Sequence, residues 1–341
     1  MISSRMFAST SLTSIVNQVP ESTILPSILK NVKAVGAAWM LSSALYTTYA
    51  TTKFLKYQQP SRDLKKARVS SLSRATLLTL FRFSGSLILG LLAHPNLQIV
   101  ERIRDTLKLL PPFALPAVFL FIANYTNSIS LNRIGISLTY TSKCAIPLIT
   151  LLLTLVWDGV QALPSVPVLL SLVPIALGIA TASWNNPTYE KYGFLAAFIS
   201  CTAQSALNVT SKRVMKNLNI GGPVAQRAMV SVGLIIASGL SLYQILQQNV
   251  EQKDLESAYS SIPPSGLTLM AVTAYHVEYN LSFVFVNLVA PITYSACDAV
   301  RRLGIIIAGQ FMFGGAPFTS LNIFGIGMAL GGALAYSILN Q

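Results

Sequence analysis

The stretch from Ala290 to Gly315, APITYSACDAVRRLGIIIAGQFMFGG, has the length and the Ile, Ala, Gly and Phe content of a helix that crosses a bilayer. Yet Arg301 and Arg302 stand near its middle, with Asp298 one turn earlier. A charge at the bilayer centre costs about 2.5–3.5 kcal/mol even on insertion scales. Two adjacent arginines at that depth cannot both reach one interface. Either Asp298 and helix packing lock them in place, or they face a water-filled cavity and hold something negative. The sequence favours the cavity.

Composition makes such helices the rule in this chain. Of 341 residues 52% are hydrophobic and 10% charged, with a mean hydropathy of +0.58, whereas soluble domains carry about 25% charged residues. An all-α integral membrane protein is expected. Ten apolar stretches approach the about 20 residues that cross a core of about 30 Å: roughly 35–54, 75–92, 109–128, 134–157, 166–184, 192–212, 224–246, 266–288, 290–315 and 321–339. An even number of spans predicts both termini on one side. Basic residues outside the spans divide ten to ten between the two sides, so the positive-inside rule sets no orientation.

The net charge of +13 is scattered through loops and forms no basic face interleaved with aromatics, which argues against nucleic acid. Cys144, Cys201 and Cys297 lie inside apolar runs, suiting neither a disulfide framework nor a metal site. Residues 1–33 read as a Ser/Thr-rich leader without packed structure; Arg5 alone is less arginine than a transit peptide carries.

An internal repeat organises the spans. A shift of 154 residues places Thr139-Tyr140 on Thr293-Tyr294, and ALGIATAS (176–183) on LGGALAYS (330–337), so that Gly178 meets Gly332. The expected units are residues 34–185 and 190–341, each with five spans. An odd number of spans makes the second unit enter the membrane from the opposite side, giving inverted repeats with a substrate site where the halves meet. Under the same shift Lys143 corresponds to Cys297, one turn before Arg301, so both basic positions lie at similar depth. Arg82 is the remaining basic residue inside a span; it either pairs with Glu278 or lines the cavity.

These residues carry a family resemblance. The chain resembles the triose-phosphate translocator family of the drug/metabolite transporter superfamily, well over residues 130–340 and by span count alone before that. The fourth-helix pattern S-F-T-H-x-x-K of that family falls on Ser137-Leu138-Thr139-Tyr140-Thr141-Ser142-Lys143, and its ninth-helix Lys-Arg pair on Arg301-Arg302. The sixth-helix pattern S-R-N-V-x-S-K-K appears as Ser205-Ala206-Leu207-Asn208-Val209-Thr210-Ser211-Lys212-Arg213. The resemblance implies that Lys143, Arg301 and Arg302 grip a substrate phosphate. Arginine at 301 adds a bidentate fork that lysine lacks. Tyr140 replaces the family's histidine and Ala206 its sixth-helix arginine. The eighth-helix tyrosine falls on Glu278, or on Tyr279 with one residue inserted, and Asp298 stands where the family has a small or amide residue.

The expected function is a secondary transporter that exchanges a phosphorylated metabolite, such as a sugar phosphate, against phosphate or another organophosphate. A nucleotide-sugar transporter is the alternative, and needs a larger cavity with contacts to a base. Candidate substrate-binding residues are Lys143, Arg301, Arg302, Tyr140, Tyr279, His276, Glu278 and Asp298. For His276 a plain helix–helix hydrogen bond is the competing reading. With His94 and His276 as the two histidines, and Glu278 and Asp298 as the acids within spans, no cluster suits metal binding or acid–base catalysis. No catalytic residue, metal or cofactor is expected. The glycines of GIGMALGG (325–332) predict close helix packing, since no Walker lysine follows them. An endomembrane location such as the Golgi is favoured over a plastid envelope.

Overall fold

The computed structural model describes residues 32–57, 64–92, 99–159, 165–183, 189–248, 263–288, 291–314 and 319–339. All but two residues of the expected leader lie outside that set. Among the described residues there is no strand, in line with an all-α chain.

Helix α1 consists of Val32–Leu41, a π-helical turn Ser42–Thr47, and Thr48–Lys56. It is followed by α2 (Leu64–Leu92) and α3 (Ile99–Ser142). A 3₁₀ turn, Lys143–Ala145, leads into α4 (Ile146–Asp158), and α5 spans Val166–Ser183. The second half has α6 (Lys191–Leu218), α7 (Gly222–Gln248), α8 (Ser265–Leu288), α9 (Pro291–Phe313) and α10 (Ser320–Leu339).

The molecule is inverted relative to a water-soluble protein. Val156, Ile235, Leu269 and Phe311 are exposed, whereas Ser128, Thr139, Ser200 and Ser205 are completely buried. Interior hydroxyls bond to backbone carbonyls, as Ser200 Oγ does to Ala123 O at 2.8 Å. Such an outside is stable only in an apolar solvent. Three helical stretches are long and apolar enough to cross a membrane: Arg74–Leu92, Ile99–Leu153 and Gly222–Leu246.

The second of these stretches is not one rod. Gly135 has φ 74° and ψ −179°, a conformation open to glycine, and the chain reverses there. Ser130 Oγ and Thr139 Oγ1 are 2.8 Å apart across the break. Nine residues of straight helix would separate them by about 13 Å. The sequence predicts a short loop between its third and fourth spans; instead the helix runs up to this one glycine and folds back.

Packing follows small residues. Helix α3 packs on α6 and α7, α2 on α7 and α8, and α1 on α8 and α9, while α5 pairs with α10. On α5 a side-chain carbon added to Gly178 would fall on the backbone of Ala329, and on α10 one added to Gly332 would come within 2.9 Å of Ile175 N. A shift of 154 converts one contact into the other. Gly325 likewise meets Thr181 and Ala182. Close backbone approach of this kind is how helices associate where no hydrophobic effect drives them together. Of the four glycines in 325–332, Gly325 and Gly332 pack closely as expected, whereas Gly327 and Gly331 face open space.

Two local irregularities position the site. In α1 the π turn is held by Thr48, whose hydroxyl donates to Ser43 O at 2.7 Å, and Ser43 in turn donates to Glu278 Oε1 at 3.0 Å. At the start of α4 Pro147 has no N–H, so Lys143 O lacks the donor four residues on that a regular helix supplies. The Lys143–Ala145 turn is 3₁₀ as a result, and Lys143 O is left able to accept from another helix.

Candidate functional site

Helices α1, α2, α3, α4, α6, α8 and α9 enclose a cavity of about 110 Å³. Of the residues singled out in the sequence, Tyr140, Lys143, Glu278, Tyr279, Asp298, Arg301 and Arg302 all line it, as does Arg82.

Asp298 is the hub. Its Oδ1 accepts from Arg301 Nε at 3.0 Å and from Nη2 at 2.7 Å, while Oδ2 accepts from Arg302 Nη2. The i, i+3 and i, i+4 spacings on one helix bring all three onto the same face. Arg301 also donates from Nη1 to Glu278 Oε1 at 2.9 Å, which ties α9 to α8. Its guanidinium carbon lies 4.9 Å from the Trp39 ring centroid of α1, within cation–π range. Arg302 is committed differently. Its Nη1 donates to Lys143 O, which also accepts the Ile146 N–H within the 3₁₀ turn, so the ninth helix is stitched to the fourth-span turn.

Lys143 has no carboxylate partner among the described residues; its Nζ lies 5.6 Å from the Tyr140 ring centroid. A second group of lining residues surrounds Arg82, which is 4% exposed. Arg82 Nη2 donates to Thr51 Oγ1, and its guanidinium carbon lies 5.3 Å from the Tyr275 ring centroid. Tyr275 and Tyr279 lie one turn apart on α8, with ring centroids 4.4 Å apart and planes tilted by 38°. The Tyr279 hydroxyl bonds to the Asn124 amide, accepting from Nδ2 at 3.1 Å.

Several expectations change at this level. His276 does not line the cavity: Ser86 Oγ is 3.0 Å from its Nδ1 and Asn280 Nδ2 is 2.8 Å from its Nε2, so the ring joins α2 to α8. Glu278 pairs with Arg301 and not with Arg82. Both positions considered for the eighth-helix tyrosine, Glu278 and Tyr279, reach the cavity. Sequence reasoning missed Trp39, Asn127, Gln204 and Tyr275. The amides had a signal: Asn124 with Asn127 and Gln204 with Asn208 stand three and four apart in apolar helices, and Gln204 Nε2 donates to Asn208 Oδ1 at 3.1 Å.

The helical chain thus combines an apolar exterior with a buried cavity lined by Arg82, Lys143, Arg301 and Arg302. The chain belongs to the Triose-phosphate Transporter family, whose model matches residues 65–337. It is 30% identical over 226 residues to phosphoenolpyruvate/phosphate translocator 3, chloroplastic, of Oryza sativa subsp. japonica, covering 64% of this chain and 55% of the relative. It is 26% identical over 230 residues to a non-green plastid triose phosphate/phosphate translocator of Brassica oleracea var. botrytis, covering 65% and 55%. A glucose-6-phosphate/phosphate translocator of Arabidopsis thaliana is 25% identical, covering 64% and 56%. The chain therefore spans about half the length of the curated relatives it matches. Among solved structures, one superposes with a TM-score of 0.46 at 14% identity, covering 90% of this chain and 99% of that one.

Proposed function

We propose that this protein is a secondary transporter that exchanges a phosphorylated small molecule for inorganic phosphate across an organelle membrane. The observation that carries the reading is the charge of one buried cavity, in which Arg82, Lys143, Arg301 and Arg302 face Glu278 and Asp298. The surplus is two positive charges, and a phosphate ester carries about −1.5 to −2. Family membership supports the transport class, and the relatives named above are phosphate exchangers by name. The nucleotide-sugar alternative needs a larger cavity with base contacts and has no observation in its favour.

In this reading Lys143 and Arg301 take the phosphate oxygens, and Arg302 fixes the geometry by holding Asp298 and the Lys143 carbonyl. Tyr140 and Tyr279 face the body of the substrate, while Asp298 and Glu278 hold Arg301 in the empty carrier. His276 is left to helix packing. Ten spans in two inverted units of five, 34–185 and 190–341, are part of the same proposal. The reciprocal contacts Gly178–Ala329 and Gly332–Ile175 support it, because a two-fold axis between α5 and α10 would generate one from the other. As for the membrane, the chloroplastic relatives favour a plastid-type envelope over the Golgi location expected from the sequence.

Exchange, as opposed to one-way transport, follows from electrostatics. Occluding the empty cavity desolvates its surplus charge at several kcal/mol per ion, and a bound phosphate removes most of that cost. Purified protein is reconstituted into liposomes that are either loaded with phosphate or empty, and uptake of labelled phosphate is followed. Uptake should require internal phosphate; equal rates in the two preparations would refute strict exchange, and no uptake in either would refute phosphate transport.

A further inference from the structure

The N–H groups of Arg301 point at two carboxylates. Nε and Nη2 donate to Asp298, and Nη1 donates to Glu278. A phosphate that takes oxygens to Arg301 has to displace one of them. Asp298 stands on the same helix and is held by Arg302 as well. Glu278 reaches across from α8, so it is the partner that gives way. The guanidinium then loses the tether that ties it to α8.

Trp39 holds the same cation by other means. Its ring centroid lies 4.9 Å from the guanidinium carbon. An aromatic face attracts a cation through its quadrupole but carries no net charge, so it holds the arginine without repelling an arriving anion. The placement is unusual for its residue type. Tryptophan in membrane proteins gathers at the two interfaces, yet this one is 1% exposed and lines the cavity. Phe285 of α8 stands 5.5 Å from it, centroid to centroid. A side-chain carbon on Gly36 would come within 2.9 Å of the Phe285 ring, so Gly36 is what lets that ring pack against α1. One turn further along α1, Ser43 donates to Glu278 Oε1 at 3.0 Å. Helix α1 thus touches both members of the pair that phosphate has to part, the cation through Trp39 and the acid through Ser43.

We propose that Trp39 is a positioning residue for Arg301, keeping the guanidinium aimed into the cavity after Glu278 yields to phosphate. The proposal rests on the phosphate reading above and adds a residue of α1 to the machinery.

The test measures phosphate dissociation constants of the purified full-length carrier by competition binding. Trp39→Leu should weaken phosphate about tenfold, and Trp39→Phe, which keeps a smaller ring face, by less. A ring that acts through Arg301 loses its purpose once the cation is gone. In an Arg301→Gln protein, Trp39→Leu should therefore change affinity by less than about twofold. A purely structural role would cost the same factor in both backgrounds. That additive result, or wild-type affinity in Trp39→Leu, would overturn the proposal. Should Trp39→Leu fail to fold, or Arg301→Gln bind too weakly to complete the cycle, the emission of Trp39 decides. With Trp157→Phe and Trp184→Phe it is the one indole left, and saturating phosphate should shift its emission as the neighbouring charge is neutralised. An unmoved spectrum in a protein that binds phosphate would overturn the proposal equally. Absence of phosphate binding by the wild type would instead remove the phosphate reading, and this one with it.

Discussion

The Glu278–Arg301 pair makes the cavity carry its own anion, and replacing that acid has a calculable effect. Glu278 Oε1 lies 2.9 Å from Arg301 Nη1, and its side chain is 15% exposed. A phosphate that takes oxygens to Arg301 must sit close to this carboxylate. At about 5 Å and an effective dielectric of about 20, each pair of like unit charges costs about 3 kcal/mol. Turning Glu278 away from the ligand recovers part of that, leaving about 1.5 kcal/mol, or roughly tenfold in Kd. Glu278→Gln keeps an acceptor for Arg301 and Ser43 and removes the charge. Phosphate affinity should rise about tenfold, and the ligand-free protein should melt lower because Arg301 has lost half of its neutralisation. Both are read in one experiment, a thermal-shift titration of purified protein with phosphate. Unchanged or weaker phosphate binding by a folded Glu278→Gln protein would show that the acid does not compete with the ligand.

Arg301→Ala should weaken phosphate binding by more than an order of magnitude, and Arg301→Lys by less, because only the fork is lost; competition binding checks both. Arg302→Ala should act chiefly on stability, by about 3–5 kcal/mol, because it strands part of Asp298; the melting temperature of ligand-free protein measures it. Gly178→Leu and Gly332→Leu should each cost about 1–3 kcal/mol by overpacking one seam. They should lower the melting temperature by similar amounts, and a large difference between them would count against a two-fold relation of α5 and α10.

The cationic half of the site was legible because charge in an apolar run is conspicuous: Lys143, Arg301 and Arg302 stand out on burial cost alone. Asp298 was legible as a partner by its spacing along one helix, and its carboxylate does serve both arginines. What spacing cannot carry is a contact between helices. Glu278 could have met Arg82 or Arg301, and only the approach of α8 to α9 decides it. His276 stayed open between the cavity and a helix–helix bond for the same reason, since its partner Ser86 comes from a helix far away in sequence. Backbone irregularities were hidden too. Nothing in SSALYT marks a π turn, and Gly135 was one glycine among many until its left-handed φ reversed the chain. The cavity amides Asn124, Asn127, Gln204 and Asn208 were visible by their spacing, but a neutral group in a span stands out less than a charge.

The seam between α5 and α10 has a mechanical consequence. Long side chains let two helices slip past each other by changing rotamers, but at Gly178, Gly325 and Gly332 the neighbouring helix comes within the distance a single methyl would occupy. Surfaces in such contact have no gears to shift; sliding by one residue would drive Ala329 or Ile175 into the opposing backbone. The two helices therefore travel as one strut.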